Sequence, residues 1–166
     1  SMNVTLQPST HVWRTAGGDA TRRGLFSAGV SPGRRVTRRL AAHGAVQAPP
    51  VFAADGTTLV ADMAGHVQAF AASGRRLWDA ALDGGISAAP VLASDESLLF
   101  AGTHTGRVVA LAAATGERVW QTTVPTKSDP RILSDLLYLP LANRLVLSSW
   151  GGRFVALAAG NGAVAG

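Results

Sequence analysis

At 166 residues the chain is long enough to bury a core of its own, and its mean hydropathy of +0.20 excludes a disordered, charge-swollen polymer. The absence of cysteine rules out disulfide frameworks and thiolate metal sites and leaves the redox compartment undetermined. Formal net charge is +5, yet residues 1–47 hold seven arginines against Asp19 alone, so the basic character belongs to the leader and the rest is near neutral.

Ser1-Met2 reads as an expression scar, and no signal peptide is expected after it. No stretch is long and apolar enough to span a membrane. The arginines of the leader (Arg14, Arg22, Arg23, Arg34, Arg35, Arg38 and Arg39) lack interleaved aromatics and any nucleic-acid-binding module, so they read as a solvated connecting segment and nucleic acid is not an expected partner. Residues 35–42 stand where an outer strand is expected. His43-Gly44-Ala45-Val46-Gln47 leads into the first full repeat as Asp83-Gly84-Gly85-Ile86-Ser87 leads into the second.

From there the chain repeats itself. Residues 88–93 are apolar and hold Pro90, which suits the start of a strand because proline has no N–H to give a ladder. A polar turn at Asp95-Glu96 precedes a second apolar run, 98–103. His104-Thr105-Gly106 makes a tight connection into a third, 107–111. After Thr115-Gly116, residues 117–123 alternate like a strand with one wet face. The upstream copy carries the same succession, with Trp78 and Trp120 42 residues apart and Gly65 and Gly106 41 apart. Downstream, Gly152 follows Gly106 by 46 and Gly162 follows Gly116 by 46, so the extra residues fall in 127–143. There, 131–139 is expected to hold the first strand and 140–144 the turn after it. A period of about 40–50 residues with four strands each predicts β-propeller blades: an all-β fold of four-stranded antiparallel meanders. The expected units are a leader with a ring-closing strand and partial blade at 1–47, and blades at 48–87, 88–126 and 127–166, the last with an incomplete outer strand.

Residues 110–120 (ALAAATGERVW) resemble the tryptophan-docking motif A-x-D-x-x-T-G-x-x-x-W of quinoprotein-type, PQQ-like propellers, with Ala112 in place of the aspartate. Residues 69–78 carry the same motif one residue shorter, and 156–166 a weaker copy. The resemblance implies that Trp78 and Trp120 pack against neighbouring blades over the turns of Gly74 and Gly116. It also implies that Trp13, with its glycine-rich turn and Arg22-Arg23, belongs to a ring-closing strand and loop. About three blades are fewer than a propeller ring uses. The chain is therefore expected to be part of a longer propeller, to pair with a second copy to complete a ring, or to close a small ring with its leader.

The resemblance does not bring chemistry with it. Family enzymes hold a quinone and calcium with an aspartate, a glutamate, an asparagine and commonly neighbouring cysteines. Here cysteine is absent, and Asp55, Asp95 and Asp135 stand in turns where a carboxylate usually satisfies backbone donors. Asp62 and Asp79 lie near strand ends without a paired acid at useful spacing. His11, His43, His66 and His104 show no metal-ligand spacing, so a metal site would need tertiary convergence; His66 with His104, on hairpins of adjacent blades, is the pair closest to that. No serine stands in a nucleophile elbow and no phosphate loop follows a strand. We therefore expect no catalytic residues, no metal, and neither PQQ nor calcium. The long connection of the third blade is the expected binding loop, with Lys127, Ser128, Asp129, Arg131 and Trp150 as its candidates. Family resemblance implies a scaffold or recognition module for a protein or peptide, like an outer-membrane assembly lipoprotein, in the periplasm, the envelope or outside the cell. The alternatives are a degenerate quinone- or sugar-active propeller enzyme and a carbohydrate-binding propeller.

Overall fold

A computed structural model describes residues 40–126 and 128–165. Three four-stranded antiparallel sheets follow one another along the chain, each strand hydrogen-bonded to the next in sequence. The first holds β1 (Val51–Phe52), β2 (Thr58–Ala61), β3 (His66–Phe70) and β4 (Arg76–Ala81). The second holds β5 (Val91–Leu92), β6 (Leu98–Gly102), β7 (Arg107–Ala112) and β8 (Arg118–Thr123). The third holds β9 (Leu137–Leu139), β10 (Arg144–Ser148), β11 (Phe154–Ala158) and β12 (Val164–Ala165). These are propeller blades, as the repeat predicts. Among the described residues, no helix is long and apolar enough to cross a membrane.

Side chains of a strand alternate between its two faces, and the middle blade uses both. Leu99, Ala101, Val109 and Leu111 face the first blade and pack with Val51, Leu59, Ala61, Val67 and Ala69. Phe100, Val108 and Ala110 face the third blade and pack with Ile132, Leu136, Leu145, Leu147, Val155 and Leu157. That is why β6 and β7 read as continuous apolar runs. Each outer strand β4 and β8 alternates exposed and half-buried residues, as expected of one wet face. The third blade buries alternate residues of β10 and β11 only.

Two expected strands are shorter than their apolar runs. The first strand of the middle blade is Val91–Leu92 alone, because Pro90 offers no N–H and Ala89 N donates instead to Asp135 Oδ1 at 2.8 Å. In the third blade only Leu137–Leu139 joins the sheet, since Ile132 N is spent on Thr103 O of the middle blade at 3.2 Å. A 3-10 turn, Pro140–Ala142, follows it. Leu40 to Ala42, at the end of the expected outer strand of the leader, form no strand; the rest of that segment and Trp13 lie outside the described residues.

The blades are joined by tryptophans. Trp78 Nε1 donates to Ala113 O of the middle blade at 2.9 Å, and Trp120 Nε1 donates to Ala159 O of the third at 2.9 Å. Each indole lies over a glycine of the neighbouring turn: a methyl group added to Gly116 would stand 2.5 Å from Trp78 Cε3, and one added to Gly162 would stand 2.5 Å from Trp120 Cε3. Phe100 adds a ring contact to Trp120 at 5.8 Å between centroids. Gly74 closes the β3–β4 turn, its N–H donating to Ala71 O.

Candidate functional site

Two polar constellations stand out, both at the ends of blades where the β2–β3 type hairpin meets the segment leading into the same blade. The geometry of that junction is repeated: Met63 N donates to Ala45 O, His104 N to Gly85 O and Trp150 N to Arg131 O, at 2.9, 2.9 and 2.8 Å. This sets His43 of the first blade in the place of Asp83 in the second, and His66 in the place of Arg107.

The first constellation is the loop expected from the sequence. Arg131 grips Asp129 through Nε, 3.0 and 2.9 Å from the two carboxylate oxygens, and through Nη2 at 2.5 Å. The guanidinium holds the Asp129 carboxyl below its ordinary pKa, and the carboxylate raises that of Arg131. Gly151 N donates to Asp129 O at 3.0 Å, so the loop rests on the β10–β11 turn and brings Ser128, Asp129, Arg131 and Trp150 together. Trp150 is 66% exposed and Phe154, across the same hairpin, is 75% exposed. A shallow depression of about 450 Å³ beside them is lined by Pro125, Thr126, Gly151, Gly152 and Arg153. Lys127 lies outside the described residues.

The second constellation has members that sequence spacing did not connect. His43 Nε2 lies 2.5 Å from Asp79 Oδ2 and His66 Nδ1 2.7 Å from Asp79 Oδ1, with the two imidazole centroids 4.0 Å apart. His66 is thus joined by His43 and not by His104, which pairs with Ser87 Oγ at 2.8 Å. Gln68 Nε2 and Arg76 Nη1 each lie 3.2 Å from Asp79 Oδ2. Beneath them Asp62, 1% exposed, takes four backbone N–H groups: His43 and Gly44 on Oδ2, Ala64 and His66 on Oδ1. One buried carboxylate therefore fixes the backbone of both histidines. Asp55 and Asp95 accept from Thr57 N and Ser97 N as turn carboxylates, in the role read from the sequence.

Burial alone pushes the Asp62 carboxyl up, but the N–H groups of His66, Gly44, His43 and Ala64 outweigh it and its pKa lies below the ordinary carboxylate value. Burial likewise raises Asp79, and hydrogen bonds and charge from His66 and His43 outweigh it. A carboxyl depressed on folding stabilises the native state above its unfolded pKa and loses that contribution as pH falls through the folded one. Urea midpoints are therefore expected to hold as pH drops to about 4 and to fall steadily below it, with a shallower fall in Asp62→Asn. An identical acid limb in that variant would show that Asp62 does not carry the effect.

The sequence pattern of the family described as outer membrane protein assembly factor BamB matches residues 8–165. Among solved structures, BamB from Moraxella catarrhalis is similar at a TM-score of 0.67 and 18% identity, over 78% of this chain and 39% of that one. Quinohemoprotein alcohol dehydrogenase from Comamonas testosteroni is similar at 0.66 and 19%, over 95% of this chain and 27% of that one. The quinohemoprotein alcohol dehydrogenase ADHIIG from Pseudomonas putida HK5 gives 0.67 and 19%, over 94% and 26%. The chain thus spans well under half the length of the solved propellers it matches. No curated protein sequence matches it. At these identities the structures establish a shared fold, and the family pattern covers nearly the whole chain: the protein belongs to the outer membrane protein assembly factor BamB family of PQQ-like β-propellers.

Proposed function

We propose that the chain is a non-catalytic propeller segment that presents a protein-binding surface at the β10–β11 hairpin of its third blade. The observation that carries this reading is the exposure of Trp150, 66%, at the hairpin end next to the ordered Arg131–Asp129 pair. Large aromatics and arginine are the residues that dominate protein interfaces. The family is described by outer membrane protein assembly, which supports a protein partner in the bacterial envelope. This reading assigns no quinone and no calcium to the chain.

The test uses a photo-crosslinking amino acid at position 150 or 128, Ser128 being exposed in the same loop, of the full-length protein in its own host. Both positions are expected to yield the same discrete protein adduct, while position 119, where Val119 is 52% exposed on an outer strand, yields none. Equal labelling from all three, or none from any, overturns the surface. Saturable binding of PQQ in the presence of calcium would instead favour an enzyme, and of a glycan a carbohydrate-binding propeller. Trp150→Ala is expected to shift folding stability by no more than about 0.5 kcal/mol by urea melts, because the side chain is two-thirds exposed.

A further inference from the structure

We propose that His43 Nε2, His66 Nδ1 and a carboxylate oxygen of Asp79 form a binding site for one divalent transition-metal ion of the zinc class. Nothing in this inference rests on the protein-binding surface, which lies two blades away.

Three observations carry it. The donor atoms of the three side chains already lie within 4.8 Å of one another. Tetrahedral bonds of about 2.0–2.1 Å place donors roughly 3.3 Å apart, so the two His–Asp contacts open and the rings close by amounts that side-chain rotation supplies. Two imidazoles and one carboxylate suit zinc and its neighbours and suit neither calcium nor magnesium, which take oxygen alone.

The second observation is the comparison between blades. In the middle blade the equivalent positions hold Asp83 and Arg107, which form an ion pair, and Gln121, which follows Trp120 as Asp79 follows Trp78. In the first blade all three differ: aspartate becomes His43, arginine becomes His66, and glutamine becomes Asp79. An ordinary ion pair is replaced by a pair of like rings plus an acid: two replacements introduce a metal-binding group where arginine and glutamine stand, and the third exchanges a carboxylate for an imidazole. Asp62 then holds both histidine backbones in place through its four N–H partners, the preorganisation that a metal site requires.

The third is Gln68. Its side chain is 1% exposed, its Nε2 meets Asp79, and its Oε1 has no hydrogen-bond partner. The Nε2 donor orients the Asp79 carboxylate from a buried position at 3.2 Å, as an outer-shell partner of a metal ligand does. The opposing group is Arg76, whose guanidinium competes for Asp79 from a half-exposed position and is free to swing into solvent. His43 is 43% exposed at its side chain, so an ion has a path in.

The experiment is titration of the full chain with zinc by calorimetry, and with cobalt by visible absorption, which reports low-symmetry coordination directly. Expected are one ion per chain, d–d absorption on cobalt binding, and displacement of cobalt by zinc. His43→Asn and Asp79→Asn are each expected to weaken binding by at least about tenfold. His104→Asn leaves it unchanged. Arg76→Ala tightens it several-fold, a gain that a purely structural role for the cluster does not produce. His43→Asn acts at an exposed side chain and keeps the protein folded, so its result stands even where Asp79→Asn unfolds. No saturable binding at millimolar metal overturns the site, as does equal loss in His43→Asn and His104→Asn.

Discussion

Asp62→Ala is expected to cost about 3–5 kcal/mol of folding stability, a large share of what a domain of this size has to lose. Four backbone N–H groups end on this one carboxylate, from two separate segments, at 2.9 to 3.1 Å. Hydrogen bonds to a charged acceptor contribute roughly 1.5–3 kcal/mol each, and donors left buried bear the full desolvation cost. Water reaches some of the freed donors, which keeps the total below a fourfold sum. The neighbouring blades supply the internal control. Thr103 and Ser149 occupy the corresponding strand ends, and each accepts one backbone N–H with its hydroxyl, from Arg107 and from Arg153 at 3.3 Å. Ser149→Ala is therefore expected to cost about 1 kcal/mol. Urea denaturation of the two variants side by side measures the difference, and equal losses would show that the Asp62 network contributes no more than a single turn bond. Asp62→Ala also frees the backbones of His43 and His66, so the same variant is expected to weaken zinc binding wherever it remains folded.

Gly116→Ala is the second large effect, expected at about 3 kcal/mol. The backbone there has φ of 76°, which by itself costs a non-glycine residue roughly 1–2 kcal/mol. The added methyl also meets the Trp78 ring at 2.5 Å, which forces the indole off Ala113 O and opens the joint between the first two blades. Gly56→Ala separates the two contributions: its φ is 84° and a methyl there meets only Ala72 Cβ, at 3.2 Å. That variant is expected to lose little more than the backbone part. Thermal melts that rank the two equally would mean the indole yields without cost and the tryptophan joint is weak.

Much of the architecture was legible because blades repeat. Each turn glycine and tryptophan recurs at about the same interval, and the buried strands of the middle blade show as unbroken apolar runs. Strand lengths were less legible. Pro90 and the diversion of Ile132 N to Thr103 O are settled by a neighbouring blade, and hydrophobicity does not report where a backbone N–H is spent. The loop around Asp129, Arg131 and Trp150 was visible as an insertion, since an altered offset between glycines locates it. The His43–His66–Asp79 cluster was not. Its members are separated by 36 and 13 residues from Asp79, intervals without a helical or strand period. A signal was present nonetheless: setting the first blade against the second exposes the replacements of Asp83 by His43, Arg107 by His66 and Gln121 by Asp79.

By itself, then, the sequence determined the class of fold, the order of the blades and the residues at their joints, because these follow from local alternation and from a period short enough to read along the chain. Only the tertiary structure decided which polar side chains meet. The segment leading into each blade returns to the hairpin between that blade's two inner strands, and this return places a residue from before the first strand against one on the third and one on the fourth. Backbone N–H groups of both segments donate to the Asp62 carboxylate and hold that meeting in place, and no pattern within either segment alone encodes it.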